Sequence, residues 1–274
     1  MPAPFGARLA GVIAARGTAL CVGVDPHPEL LAGWGLPVDV AGLERLALST
    51  VEAVGDLVAV LKPQSAFFEA FGSRGVAVLE RVVTEGRAAG AIVLVDAKRG
   101  DIGSTMAGYA AAYLTEGSPL AGDAVTLSPY LGFGSLRPAL DVAAANGRGV
   151  LVLARTSNPE GAAVQAAVHS GRTVAQSIVD GAAAENAGAV PFGSVGLVIG
   201  ATGGHGLDLA ALNGPVLAPG LGAQGGTAAG LRSAVGVVNG PIVPSTSRDV
   251  LRHGPDPAAL RRAAARVIAE LAAA

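Results

Sequence analysis

Ile92-Val93-Leu94-Val95-Asp96-Ala97-Lys98-Arg99-Gly100-Asp101-Ile102 begins as an apolar run and ends in a dense cluster of charge. Its first residues show no alternation of apolar and polar positions, which is how a strand buried on both faces reads. Asp96 and Lys98 stand two apart and so share a face of an extended chain. Gly100 then permits a turn before Asp101. Seven similar runs lie along the chain, at Ala19–Asp25, Leu57–Lys62, Ala124–Leu127, Gly149–Ala154, Gly196–Gly200, Pro215–Pro219 and Val235–Val243, the last interrupted by Asn239, Gly240 and Pro241. The spacing between them predicts helices over Val40–Val54, Gly75–Ala89, Ser104–Thr115, Leu136–Ala145, Arg172–Ala187, Leu207–Leu212, Gly225–Ser233 and Pro257–Ala273, with an extra helix, Pro4–Ala15, before the first strand. Eight strands each followed by a helix suit a (β/α)8 TIM barrel. A doubly wound open sheet is the second reading. No linker rich in proline, serine or charge divides the chain, so 1–274 reads as one domain.

In such a barrel the reactive groups belong at the C-terminal ends of the strands. Asp25, Lys62, Asp96 with Lys98, and Thr156-Ser157 stand at the ends of the first, second, third and fifth runs. Ser247-Arg248 follows the eighth. Charges at the ends of buried strands are costly unless paired, and convergence on one pocket accounts for the whole set better than separate capping roles do. The array Asp96, Lys98, Asp101 reads as an ammonium held between two carboxylates, which raises the lysine pKa. Lys62 adds a second ammonium and Asp25 completes a charged network. Lysines kept protonated in this way are poor nucleophiles and good proton donors beside a developing carbanion. A purely structural salt-bridge network is the plainer alternative.

Composition sharpens the point. The 274 residues carry 19 lysines and arginines, yet only Lys62 and Lys98 are lysine. Arginine serves wherever positive charge suffices, but it cannot release a proton near neutrality, so two lysines in an arginine-rich background are candidates for specific chemistry. A net charge of −2, with 51% hydrophobic and 15% charged residues, argues against a disordered chain and against nucleic-acid binding driven by overall charge. No run reaches the ~18 apolar residues of a membrane span. Met1 to Arg16 lacks a signal-peptide pattern. The single cysteine, Cys21, cannot form an internal disulfide and reads as a small core residue, so a cytoplasmic setting is expected.

The loop Ala218-Pro219-Gly220-Leu221-Gly222-Ala223-Gln224-Gly225-Gly226 is a candidate phosphate cradle. Glycines let backbone N–H groups approach an anion, and the next helix adds its N-terminal dipole. Arg248, from the neighbouring strand end, can bind phosphate oxygens bidentately. The four histidines, His27, His169, His205 and His253, show no metal spacing. No nucleophile elbow or Walker loop occurs, and Gly200-Ala-Thr-Gly-Gly lacks the dinucleotide fingerprint.

Asp96-x-Lys98-x-x-Asp101-Ile102 followed by Thr105 resembles the signature of the orotidine 5′-phosphate decarboxylase family. Gly23-Val24-Asp25-Pro26, Leu61-Lys62-Pro63-Gln64, Arg155-Thr156-Ser157-Asn158-Pro159 and Pro219–Gly226 resemble its other blocks, in order, over about Ala19 to Val250. The Thr-Ser-Asn-Pro block and the chain length look like the longer bacterial subgroup. Ser247 stands where a glycine is more familiar, a change that leaves backbone donation intact. Related sugar-phosphate enzymes share Asp-x-Lys-x-x-Asp but bind magnesium partly through a glutamate near the end of strand 2, where this chain has Lys62.

The resemblance implies cofactor-independent, metal-free decarboxylation of orotidine 5′-monophosphate (OMP) to uridine 5′-monophosphate (UMP) in pyrimidine biosynthesis. Lys98 would protonate C6, Asp96 would sit by the substrate carboxylate, and Asp25 with Lys62 would bind the ribose. Thr156 and Ser157 would contact the pyrimidine. Gly222, Gln224, Gly225, Ser247 and Arg248 would hold the phosphate. Asp101, Ile102 and Thr105 would reach the partner's site in a two-fold homodimer. A metal-dependent lyase or epimerase on the same barrel, and a non-catalytic nucleotide-binding protein, stay open as alternatives.

Overall fold

The computed structural model describes residues 2–200, 206–222 and 225–274, with the backbone alone of Arg232. Eight parallel strands close into a barrel: β1 (Cys21–Val24), β2 (Val60–Pro63), β3 (Ile92–Arg99), β4 (Ala124–Leu127), β5 (Gly149–Arg155), β6 (Val195–Ile199), β7 (Val216–Pro219) and β8 (Ile242–Thr246). They pair in chain order, with β8 returning to β1 through Cys21 opposite Ser245. The TIM-barrel expectation holds and the open sheet does not.

Buried apolar residues fall into two clusters that follow the period of two along the strands. Val22, Leu61, Val93, Val95, Val125 and Val152 face the surrounding helices, meeting Leu43 and Leu46 of the helix Val40–Val54 and Leu79 and Val82 of the helix Gly72–Ala88. Cys21, Val60, Leu94, Ala124, Leu151, Val198, Leu217 and Val243 form the barrel interior. The N-terminal helix, Phe5–Arg16, adds Phe5 and Leu9 to this inner cluster. It closes the barrel at the end away from the candidate site. A Cβ on Gly149 would lie 2.4 Å from the Phe5 ring, so the closure needs a glycine there. Two residues further along each strand, the inner face changes character to Gly23, Lys62, Asp96, Thr126, Leu153, Gly200, Pro219 and Ser245.

Three expectations are corrected. Leu207–Leu212 is not a helix: Leu209 forms a lone bridge with Val238, while Leu209 and Leu212 are buried. The left-handed Asn213 (φ +46°) and Pro215 stop the segment from continuing as a helix. The last strand is Ile242–Thr246, not Val235–Val243. Val235 ends the helix Ala228–Val235, and Gly236 (φ +77°), Gly240 (φ +139°) and Pro241 carry the chain round before pairing resumes. Arg172-Thr173 forms a short antiparallel hairpin with Val168-His169, and the helix predicted from Arg172 begins at Val174, where Thr173 Oγ1 accepts from Gln176 N at 3.1 Å. Among the described residues no helix is long and apolar enough to cross a membrane.

Candidate active site

The inner face at the C-terminal ends of the strands opens into a cavity of about 340 Å³. Asp25, Lys62, Asp96, Lys98, Thr156, Ser157, Ser247 and Arg248 all line it, as the sequence predicts. Its centre is the Asp96 carboxylate, which accepts from four donors. Lys98 Nζ lies 2.7 Å from Oδ1 and Lys62 Nζ 3.0 Å from Oδ2; Thr126 Oγ1 (2.7 Å, to Oδ1) and Gln64 Nε2 (2.8 Å, to Oδ2) supply the neutral pair. Lys62 Nζ is also 3.9 Å from Asp25 Oδ1. The charges therefore run Asp25, Lys62, Asp96, Lys98.

Within one chain the array is a carboxylate between two ammonium groups, and the chain's own Asp101 makes no bond to Lys98. Asp101 lies beyond the turn at Gly100, where a Cβ would sit 2.2 Å from the Ser128 carbonyl, and its Oδ1 accepts from Ile102 N at 2.8 Å. Asp101, Ile102 and Thr105 do not line this chain's cavity.

Burial works against both buried charges, and their neighbours reverse the outcome. Desolvation alone would raise the Asp96 pKa, but Lys62 and Lys98 hold it well below the ordinary carboxylate range. Desolvation alone would lower Lys62, but Asp25 and Asp96 hold it above the ordinary lysine range. The two lysines differ in exposure: the Lys62 side chain is 8% exposed, Lys98 43%. Lys62 is locked into the wall, whereas Lys98 has one face on Asp96 and another on the cavity. Its backbone is strained, with φ +49°, a conformation costing a non-glycine residue about 1–3 kcal/mol.

The signs of these shifts set a pH test. A depressed Asp96 contributes stability at pH values above its ordinary 3.8, and this is lost as pH falls below that value. The raised Lys62 contributes below its ordinary 10.5, and that is lost only as pH rises beyond it. Urea unfolding from pH 6 down to 3 should show a steeper loss of stability in the unmodified protein than in Asp96→Asn. Parallel curves would contradict the assigned charge state.

The remaining walls are tightly specified. A Cβ on Gly23 would meet Asp25 Oδ2 at 2.8 Å and Ser247 Cβ at 2.9 Å, so glycine lets β1 and β8 converge. Asp25 Oδ1 and Ser247 Oγ are buried without hydrogen-bond partners. Arg248 is exposed at the rim and forms no ion pair among the described residues. The glycine loop is only partly as expected. Gly220 and Leu221 line the cavity, but Gly222 and Gly225 do not. The Gly222 N–H donates to the Gly226 carbonyl (2.8 Å) and the Gly225 N–H to the Gly222 carbonyl (2.7 Å), closing the loop on itself. Gln224 lies outside the described residues.

Sequence reasoning missed Gln64 and Thr126 on Asp96. It also missed His27, whose ring meets that of Phe67 at a tilt of 53° with centroids 4.2 Å apart, and Gln165, whose side chain bonds Thr156 N (3.1 Å) and Thr156 Oγ1 (2.7 Å). Gln64 and Thr126 were findable, because each is polar and lies two residues beyond an inward-facing site: Lys62 and Ala124.

The comparisons agree with this geometry. Residues 18–263 match the family model described as Orotidine 5′-phosphate decarboxylase / HUMPS family. A Salinispora arenicola protein named orotidine 5′-phosphate decarboxylase is 64% identical over 98% of both chains, and one of the same name from Streptomyces coelicolor is 60% identical over 98% of this chain and 97% of its own. The crystal structure of a Streptomyces avermitilis protein assigned as orotidine 5′-phosphate decarboxylase superposes with a TM-score of 0.95, at 60% identity, covering 99% of this chain and 96% of that one.

Proposed function

This chain belongs to the orotidine 5′-phosphate decarboxylase family, and we propose that it decarboxylates OMP to UMP in pyrimidine biosynthesis, using its own side chains. The observation that carries the proposal is the 2.7 Å contact of Lys98 Nζ with Asp96 Oδ1, with Lys98 half open to the cavity.

Loss of CO2 breaks the bond from C6 of the pyrimidine to the carboxyl carbon and leaves the electron pair at C6, in an orbital the ring cannot delocalise. The largest enzymatic accelerations correspond to roughly 23 kcal/mol of barrier, and this reaction needs that scale. An ammonium fixed beside C6 stabilises the developing charge and then transfers one proton to it. Asp96, paired to both lysines, holds Lys98 in place and sets a second negative charge near the leaving carboxylate. Asp25 Oδ1, ion-paired to Lys62 but without a hydrogen bond, suits a ribose hydroxyl, Thr156 and Ser157 flank the base, and Ser247 with Arg248 suits the phosphate. Binding of that remote dianion contributes to ordering the site and so to catalysis. Gly222, Gln224 and Gly225 would join the phosphate only if the loop re-pairs around it.

The whole chain acts as one catalytic domain in this reading, in the cytoplasm, with no nucleic-acid or membrane partner. Two copies would form a dimer in which Asp101, Ile102 and Thr105 serve the neighbouring pocket. In support, Ile102, past the end of β3, and Tyr130 and Leu131, past the end of β4, are 62%, 78% and 51% exposed.

The test is the fall in orotate absorbance when OMP is added to the purified protein, with UMP and CO2 appearing one to one. Binding of UMP without turnover of OMP would overturn the proposal in favour of a nucleotide-binding protein. Lys62 Nζ occupies the space between the Asp25 and Asp96 carboxylates, where its charge opposes a divalent cation. Activity should therefore be unchanged by EDTA. A strict magnesium requirement would favour the lyase or epimerase reading.

A further inference from the structure

We infer that Thr126 is a positioning residue for the decarboxylation, one hydroxyl that sets both the backbone of Lys98 and the carboxylate of Asp96. The inference rests on the decarboxylase reading above. Thr126 lies on β4 and is fully buried. It does not line the cavity, so it has no direct part in the chemistry.

Two hydrogen bonds define its role. Lys98 N lies 3.0 Å from Thr126 Oγ1, and Thr126 Oγ1 lies 2.7 Å from Asp96 Oδ1. Their directions follow from chemistry. A backbone N–H can only donate, so the hydroxyl oxygen accepts from Lys98. Asp96 is held ionised by two lysines and can only accept, so the single hydroxyl proton goes to Asp96. The hydroxyl thus uses its donor on one member of the reacting pair and a lone pair on the other.

The backbone explains why such a bridge is required. The pairing of β3 with β4 is regular at Leu94 and Val95, then shifts before Arg99. Within that irregular stretch Lys98 adopts φ +49°, a left-handed conformation that side chains disfavour. A strained residue persists only where its surroundings over-determine it. Here the amide displaced from the ladder finds its acceptor in a side chain of the neighbouring strand. Gln64, the other neutral donor on Asp96, makes no corresponding bond to Lys98. Thr126 therefore couples the direction in which the Lys98 side chain leaves the backbone to the plane of the carboxylate it pairs with.

Thr126→Val keeps the shape and removes both bonds; Thr126→Ser keeps the hydroxyl. Asp25, Ser247 and Arg248, proposed to bind ribose and phosphate, stand past the ends of β1 and β8 and make no bond to Thr126, and Lys62 pairs with the other carboxylate oxygen of Asp96, Oδ2, so binding should be spared. A displacement of the order of 1 Å at the reacting group lowers rates by about 100-fold, so Thr126→Val is expected to lose between about 10- and 100-fold in kcat. KM for OMP and Kd for UMP should stay within about threefold. Thr126→Ser should keep most of the unmodified kcat. If Thr126→Val fails to fold, Thr126→Cys replaces it, since a thiol bonds weakly at both ends, and the same split is expected against Thr126→Ser. A kcat within twofold of the unmodified protein in the valine or cysteine variant would overturn the inference. So would a parallel loss of kcat and UMP affinity, or an equal loss in the serine variant. No turnover by the unmodified protein would overturn the decarboxylase reading, and this inference with it.

Discussion

Lys98→Ala is expected to lower kcat for OMP by about 10⁴-fold or more, since a positioned general acid contributes about 10²–10⁴ and electrostatic stabilisation of a developing anion about 10²–10³. The variant should nevertheless fold and bind UMP. Its Lys98 side chain is 43% exposed, so truncation leaves no buried void, and Asp96 keeps Lys62, Gln64 and Thr126. The phosphate and ribose groups stand on or past the ends of β1, β2 and β8 and are untouched. Lys98→Arg should not restore turnover. A guanidinium keeps the positive charge but does not give up a proton near neutrality, and its planar fork does not fit a site built for one ammonium nitrogen. Single-turnover assays together with UMP titration separate the two effects. Substantial turnover by the arginine variant would show that charge alone suffices and would remove the proton-delivery role.

The second large effect is a recovery. Asp96 is fixed in its own barrel, whereas Asp101 follows the turn at Gly100 and its side chain accepts only from the adjacent Ile102 N–H among the described residues. If Asp101 serves a neighbouring pocket, homodimers of Asp96→Ala and of Asp101→Ala should each be nearly inactive. Mixing them with subunit exchange changes the distribution. In a mixed dimer one site carries both substitutions and the other carries neither. Random exchange makes about half the dimers mixed, each with one intact site, so roughly a quarter of the unmodified activity should return. No recovery, with exchange confirmed by differently tagged subunits, would place Asp101 in its own subunit's site.

Much of the candidate site was legible because strand geometry is simple. A period of two carries the inner face from Val60 to Lys62 and from Leu94 to Asp96, so charged residues at strand ends had to share one rim. What escaped was whatever departs from that period. The left-handed Lys98 and the shifted register after Val95 cannot be read from residue types, and so the place of Asp96 between Lys98 and Lys62 was not legible. The glycine loop misled for a related reason. Glycines allow amides to point at an anion, but they equally allow Gly222 and Gly225 to bond within their own loop. Where a helix was expected at Leu207–Leu212, the segment is instead held by two anchors into the core, Leu209 and Leu212. Gln165 acts from a segment whose contact with Thr156 depends on tertiary folding that local pattern does not encode.

The central claim is that an ammonium at position 98 is what the reaction requires, and chemical rescue tests it most directly. Lys98→Cys, alkylated with 2-bromoethylamine, rebuilds a lysine-like ammonium at that position. The only other cysteine, Cys21, is fully buried, and burial pushes its thiol up to about 12, so it stays protonated and out of reach of the reagent. The account predicts an inactive cysteine variant that binds UMP, and a return of OMP turnover in proportion to alkylation followed by mass. Fully alkylated protein that binds UMP but still does not turn over OMP, or a cysteine variant active before alkylation, would contradict it.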